Sequence, residues 1–149
     1  SSAASDVYKR QIIGDIMDDL LRESINIFLE QAEEMCNINF AYIFGSYARG
    51  EENINSDIDI AIMLKEINMD KMSELFIRGN LIELGKSIFK KDVDIVFLNV
   101  DSVFLKYKII QEGIVIKDSR ERIAFESIVL REYFDFKYYS NYYNERMLV

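Results

Sequence analysis

Residues Phe44 to Met63 read FGSYARGEENINSDIDIAIM, and this stretch decides the fold. Before it, Asn37–Phe44 is rich in Ile, Phe and Tyr and reads as a short strand that stops at the small-residue turn Gly45-Ser46. After it, Ser56–Leu64 alternates acid and apolar residues and reads as a second strand. Successive strand side chains point to opposite faces, so Asp57 and Asp59 share one face. Ile58, Ile60, Ile62 and Leu64 take the other face and can enter a core. Two carboxylates on one sheet face repel and raise each other's pKa unless a cation neutralises them. A divalent metal ion is the usual remedy.

Working outward, Asp92–Leu98 (DVDIVFL) is a third strand of the same type. If it neighbours the Asp57–Asp59 strand, Asp94 joins them and three carboxylates converge. Such a set can hold two metal ions about 4 Å apart, an arrangement suited to in-line displacement at phosphorus. Asp92 shares a face with Asp94. Asp94 is preferred because apolar residues flank it, whereas Asp92 follows Lys90-Lys91 at the strand entry. Glycine at position 45 allows close backbone approach, and the turn's N–H groups with the Ser46 hydroxyl can bind phosphate.

Composition removes whole reaction classes. The chain has 149 residues, enough for one core and not comfortably for two. It has no histidine, which excludes Ser-His-Asp and Cys-His catalysis and an ordinary zinc site. A metal site must then use oxygen ligands, which suits Mg²⁺, Ca²⁺ or Mn²⁺. The net charge of −8 argues against direct polynucleotide binding, whose affinity comes mostly from Lys and Arg. No apolar run is long enough to span a membrane, and no signal peptide is visible. Cys36 is the single cysteine, so no disulfide framework exists and a cytoplasmic setting is expected. Cys36 itself reads as a buried structural thiol.

The remaining elements follow from periodicity. Ile12 to about Met35 is a helix with Ile12, Ile16, Leu20, Ile25, Phe28 and Leu29 at its apolar positions. Asp70–Phe89 is a second, with Leu75, Leu81, Ile82, Leu84 and Ile88 inward. Val100–Glu112 is a short helix ending at Gly113, read as a C′ glycine. Ile114–Ile116 is a brief strand. From about Ser119, an N-cap candidate, one long helix runs to the end. Its aromatics Tyr133, Phe134, Phe136, Tyr138, Tyr139, Tyr142 and Tyr143 read first as a core stripe. The tyrosines of 138–143 exceed what one buried stripe can use and suggest a partner surface. Ser1–Gln11 (SSAASDVYKRQ) is set apart, because DVYKRQ resembles a translated transposase sequencing adapter. The expectation is a non-native or disordered leader at 1–11 and one domain at 12–149. Strands separated by helices make that domain α/β (α+β), with a small mixed sheet flanked by helices and a long C-terminal helix.

A strand, a Gly-Ser turn, ten intervening residues and a DxD strand form a specific combination. GSYARGEENINSDID matches the GS-x10-DxD signature, and the chain resembles the polymerase-β-like nucleotidyltransferase superfamily. The compact length, the VDIVFL strand and the tyrosine-rich end are similar, more narrowly, to the MntA-type antitoxins paired with HEPN-domain toxins. The resemblance implies that Asp57 and Asp59 bind the Mg²⁺ ions, two with ATP bound, that carry the triphosphate. It implies that Asp94 completes the metal site and helps activate the attacking hydroxyl. Gly45 and Ser46 would bind the β and γ phosphates. Many relatives carry arginine where this chain has Tyr47, which leaves Arg49 as the nearest cation. Arg49 is read equally as a nucleotide contact or a surface pair with Glu51 or Glu52. Lys65, Lys90 and Lys91 read as a solvated face with a secondary part in neutralising phosphate. The implied activity is AMP transfer from ATP to a tyrosine of a HEPN toxin, within a toxin–antitoxin hetero-oligomer. The rivals are an antitoxin that only masks the toxin, and an adenylyltransferase acting on a small molecule such as an aminoglycoside.

Overall fold

The computed structural model describes residues 19–66, 68–99 and 102–147. The leader at 1–11 and the start of the first helix, with Ile12 and Ile16, lie outside the described residues. In order the elements are α1 (Asp19–Ala32), β1 (Ile38–Phe44), α2 (Ser46–Arg49), β2 (Ile58–Leu64) and α3 (Lys71–Phe89). They continue with β3 (Val93–Phe97), α4 (Val103–Glu112), β4 (Ile114–Lys117) and α5 (Glu121–Met147). The four strands form one mixed sheet in the order β3-β2-β1-β4. β1 runs antiparallel to both β2 and β4, and β3 runs parallel to β2.

Each sheet face carries its own apolar layer. Ile43, Ile58, Ile60, Ile62 and Ile95 are buried with Ile25, Phe28 and Leu81 of α1 and α3. Phe40, Tyr42, Ala61 and Leu98 are buried on the other face with Ile109 of α4, and Phe125 of α5 packs against them. The isoleucine alternation read from the sequence is therefore the floor of the first layer. Each such side chain contributes about 1.5–3 kcal/mol when fully buried.

The helices depart from the sequence expectations in instructive places. Leu20 is 69% exposed and Leu75 is 59% exposed, so neither is a core residue. Both sit in the first turns of their helices, and the buried residues there begin only at Ile25 and Leu81. Asp70 caps α3, accepting from the Ser73 N–H at 2.7 Å. Ser102 caps α4 in the same way through Leu105. Ser119 does not cap α5; its hydroxyl donates to Asn39 across the fold. Gly113 does not adopt the left-handed C′ conformation, since its φ is −72° and ψ 148°. It is glycine because a Cβ there would lie 2.4 Å from the Ile109 carbonyl oxygen and 3.2 Å from Tyr42.

The α5 aromatics do not form a core stripe along its length. Tyr133 stacks on Tyr107 with centroids 3.6 Å apart, and Phe104 meets Phe136 edge-on at 4.9 Å. Beyond that contact Tyr138, Tyr139, Tyr142 and Tyr143 are exposed. A helix of 27 residues is roughly 40 Å long, more than the sheet and α4 can cover.

Two glycines inside α3 give opposite expectations. A Cβ at Gly85 would meet Val93 of β3 at 2.9 Å, so Gly85 lets the helix lie close on the sheet. Nothing lies within 4 Å of a Cβ built at Gly79. Gly85→Ala should destabilise the fold by roughly 1–3 kcal/mol through overpacking. Gly79→Ala should stabilise it by about 0.5–1 kcal/mol through helix propensity. Urea denaturation of both variants measures this, and two shifts of the same sign would contradict it.

Candidate active site

Asp59 lies opposite Phe44, the last residue of β1, and directly beside Asp94 in the parallel register of β2 and β3. Alternation then turns both carboxylates to the α4 side, where Ala61, Met63 and Val96 of the same strands join the second apolar layer. Asp57 does not sit within the strand as expected. The ladder starts at Ile58, whose N–H donates to the Asp92 carbonyl at 3.0 Å, so Asp57 is the exposed last residue of the preceding loop.

Gly45 closes the site from the β1 end. Its φ of 73° and ψ of −151° belong to a region open essentially to glycine alone. A Cβ at this position would stand 2.3 Å from Asp59 Oδ2. Backbone conformation and close approach thus demand glycine independently. Ser46 then begins α2, a single turn of helix whose backbone is tied back by Glu51 N–H donating to the Ser46 carbonyl at 2.9 Å.

The acids are not a ready-made cation cage: among the described residues no three His, Cys, Asp or Glu side chains form a metal-holding group. The carboxylates nonetheless act on one another. Partial burial pushes the Asp59 carboxyl up, and the neighbouring charges of Asp94 and Asp57 push it further; Arg49 and Lys108 pull it back. This donor set fits a hard cation. It is all oxygen, it is crowded with negative charge, and Mg²⁺ takes only one or two carboxylates before completing its shell with phosphate and water.

Cations surround the acids at longer range. Arg49 Nε is 3.0 Å from Glu51 Oε2, and its Nη1 is 3.0 Å from Glu112 Oε2 at the end of α4. The surface-pair reading of Arg49 is present in the structure, with Glu112 as a second acceptor that local sequence could not reveal. Arg78 of α3 approaches Asp94 with Nη2 3.7 Å from Oδ1. Lys108 of α4 acts on Asp59. Neither Arg78 nor Lys108 carried a local signal, since each arrives from a helix that reaches the site only through tertiary packing. Lys91 is not simply solvated. Its Nζ donates to the Ile54 carbonyl at 3.2 Å and lies 5.5 Å from the centre of the Tyr47 ring.

The raised Asp59 pKa has a definite sign for stability. The folded chain holds this proton more tightly than the unfolded chain does. That contribution is complete below the unfolded value and is lost as pH rises through the folded value, so ionised Asp59 opposes folding near neutrality. Without divalent cations, Asp59→Asn should melt above the wild type at pH 7. The gap should close as pH falls through the raised folded-state value toward the ordinary carboxylate range, where the wild-type carboxyl takes up its proton. Calorimetry across this range tests it, and a gap independent of pH would refute the electrostatic account.

Comparison with known proteins places this geometry in a family. The model of the family described as polymerase beta, nucleotidyltransferase matches residues 15–122. The protein adenylyltransferase MntA of Shewanella oneidensis is 33% identical over 76 residues, covering 51% of each chain. The chain therefore spans about half the length of the curated relative it matches. Among solved structures, a chain of a toxin–antitoxin crystal structure with AMP-PNP superposes with a TM-score of 0.68 at 22% identity, over 86% of this chain and 98% of that one. A chain of the MntA–HepT toxin–antitoxin structure gives 0.64 at 20% identity, over 89% and 100%. A chain of the tri-AMPylated Shewanella oneidensis HEPN toxin in complex with its MNT antitoxin gives 0.56 at 20%, over 94% and 99%. At these identities the superpositions speak for the fold, and the family match covers most of the chain: this protein belongs to the polymerase beta nucleotidyltransferase family.

Proposed function

We propose that the protein is a Mg²⁺-dependent adenylyltransferase that moves AMP from ATP to a tyrosine hydroxyl of a HEPN-domain toxin, and so acts as its antitoxin. The observation that carries this reading is the Asp59–Asp94 register beside Gly45, with Asp57 two residues upstream of Asp59. The names of the similar proteins support the acceptor: one is a protein adenylyltransferase, and another complex holds an AMPylated HEPN toxin.

Bound Mg²⁺ would supply charge neutralisation of the triphosphate and polarisation of the α-phosphorus. Asp57, Asp59 and Asp94 would hold it. The Gly45 turn and the Ser46 hydroxyl orient the phosphates. Arg49 can add its charge by leaving Glu51 and Glu112, since exposed pairs of this kind are worth only about 0.2–1 kcal/mol. Asp94 is exposed at the sheet edge and accepts the proton of the attacking tyrosine. The new bond joins the tyrosine oxygen to the α-phosphorus, and the bond from that phosphorus to the bridging oxygen breaks. Most of the rate enhancement comes from position and charge.

The exposed tyrosines of α5 supply a docking surface for the toxin. Tyr138, Tyr139, Tyr142 and Tyr143 are exposed at the far end of the helix. Aromatic residues of this kind are enriched in the cores of protein interfaces. Combined alanine substitution at Tyr139 and Tyr143 should leave the fold intact and weaken toxin binding by about tenfold or more. Co-purification and calorimetry with the toxin measure this; unchanged affinity removes the surface from the proposal.

The decisive experiment is intact-mass spectrometry of the toxin after incubation with the protein, ATP and Mg²⁺. Wild type should add AMP, and Asp57→Asn or Asp59→Asn should fold but add none, a loss of at least about 100-fold. The same variants separate catalysis from the rival reading, masking of the toxin by binding alone. An Asp57→Asn protein that still protects cells from the toxin would establish masking.

A further inference from the structure

One side of α3 is covered and the other is bare. Leu81 and Gly85 are buried against the sheet, and a Cβ at Gly85 would meet Val93. Nearer the start of the helix, Met72, Leu75 and Phe76 are 77%, 59% and 71% exposed. Their spacing of three and four residues puts them on one face. Gly79 continues that face by one turn, and nothing lies within 4 Å of a Cβ built there. Scattered exposed apolar residues need no explanation, but these three adjoin and end at an open glycine, which makes them a patch.

Arg78 ties this patch to the acids. By helical periodicity it stands on the border of the two sides, with Gly85 about 20° away on the buried side and Leu75 about 60° away on the exposed one. Its Nη2 lies 3.7 Å from Asp94 Oδ1, which is charge attraction and too long for a hydrogen bond. α3 packs on the sheet face opposite to the Asp94 carboxylate. The Arg78 side chain therefore passes round β3, the edge strand of the sheet. The patch begins where Asp94 meets solvent.

We propose that the acceptor protein seats on this outer face of α3, with an apolar segment crossing at Gly79, and that the contact aims its tyrosine at Asp94. The proposal rests on the adenylyltransferase reading and names the surface that presents that reaction's acceptor.

The occupant follows from the reaction. A hydroxyl within hydrogen-bond reach of Asp94 brings the surface that carries it to within a side-chain length of the β3 edge. Asp59 and β2 stand on one side of Asp94, and no strand follows β3 on the other among the described residues. The acceptor comes over that open edge, beside Arg78 and the patch. Burial alone would be served as well by a second copy of this chain. Only an acceptor makes use of the position beside Asp94.

Gly79 points the same way. Glycine inside a helix is destabilising, and no contact within the chain requires it here. Close approach of another chain's backbone does require it. The exposed tyrosines of α5 then hold the toxin, and α3 aligns it. Alignment counts heavily in a step whose reacting atoms must come within about 3–3.5 Å of each other.

Kinetics of AMP transfer to the toxin, followed by intact mass, test this with two variants. Leu75→Gln combined with Phe76→Gln removes the apolar contact, and Gly79→Gln fills the open position. All three positions are exposed, so both variants should melt within about 4 °C of the wild type or above it. Both should bind ATP with Mg²⁺ as the wild type does, measured by calorimetry, and lower kcat/KM for the toxin by about tenfold or more. Transfer at the wild-type rate by both variants overturns the α3 seat and leaves the adenylyltransferase reading intact. A wild type that adds no AMP overturns that reading, and calorimetry with the toxin then decides the seat: weaker binding by both variants keeps it, and unchanged binding overturns it. Self-association of the wild type in sedimentation, abolished by Leu75→Gln with Phe76→Gln while transfer continues unchanged, gives the face to a second copy and overturns the proposal.

Discussion

Asp59 and Asp94 stand side by side on parallel strands, and the rest of the fold has to hold that pairing against its own repulsion. Two carboxylates about 4 Å apart oppose each other by about 1 kcal/mol in water and about 4 kcal/mol in a half-buried setting. The opposing force comes from the other sheet face. The same register pairs Ile58 with Val93, Ile60 with Ile95 and Ile62 with Phe97, all buried. At about 1.5–3 kcal/mol for each buried side chain, this ladder outweighs the repulsion several-fold. A slip of one residue would expose the isoleucines and bury the acids, so the core fixes the carboxylate geometry.

The parts legible in the sequence were those with a local cause. Alternation in SDIDIAIML separates acid from apolar side chains whatever the strand's neighbours are. Gly45 was legible because a turn after an apolar strand selects for small residues. The two-residue error in the start of β2 is of the same origin. Alternation continues through Asp57, but the ladder begins only where Asp92 offers its carbonyl to Ile58. Pattern reports which way a side chain would point, and the partner strand decides where pairing begins.

What the sequence did not disclose depends on packing between elements. Leu20 and Leu75 have helical apolar spacing and are exposed, because spacing records a face without recording whether anything covers it. Gly113 looked like a helix terminator, yet its requirement comes from Tyr42 and the Ile109 carbonyl. Ser119 looked like a cap, yet Asn39, eighty positions away, takes its hydroxyl. Arg78, Lys108 and Glu112 enter the site from helices that meet only in three dimensions. The aromatic run of α5 was ambiguous for the same reason: the helix outruns its support, and only the fold shows where.

Two residues of the candidate site are each a poor choice for stability alone. Gly45 occupies a conformation almost closed to other residues, and Asp59 is held partly buried beside like charge. Natural proteins accept such conflicts where a ligand resolves them, and the remainder of the chain supplies the margin. Here the margin is the double apolar layer, which leaves the end of the sheet free to collect charge. In the proposed adenylyl transfer a cation would relieve the charge crowded at Asp59, and the Gly45 turn would leave room beside it for the phosphates that carry that cation.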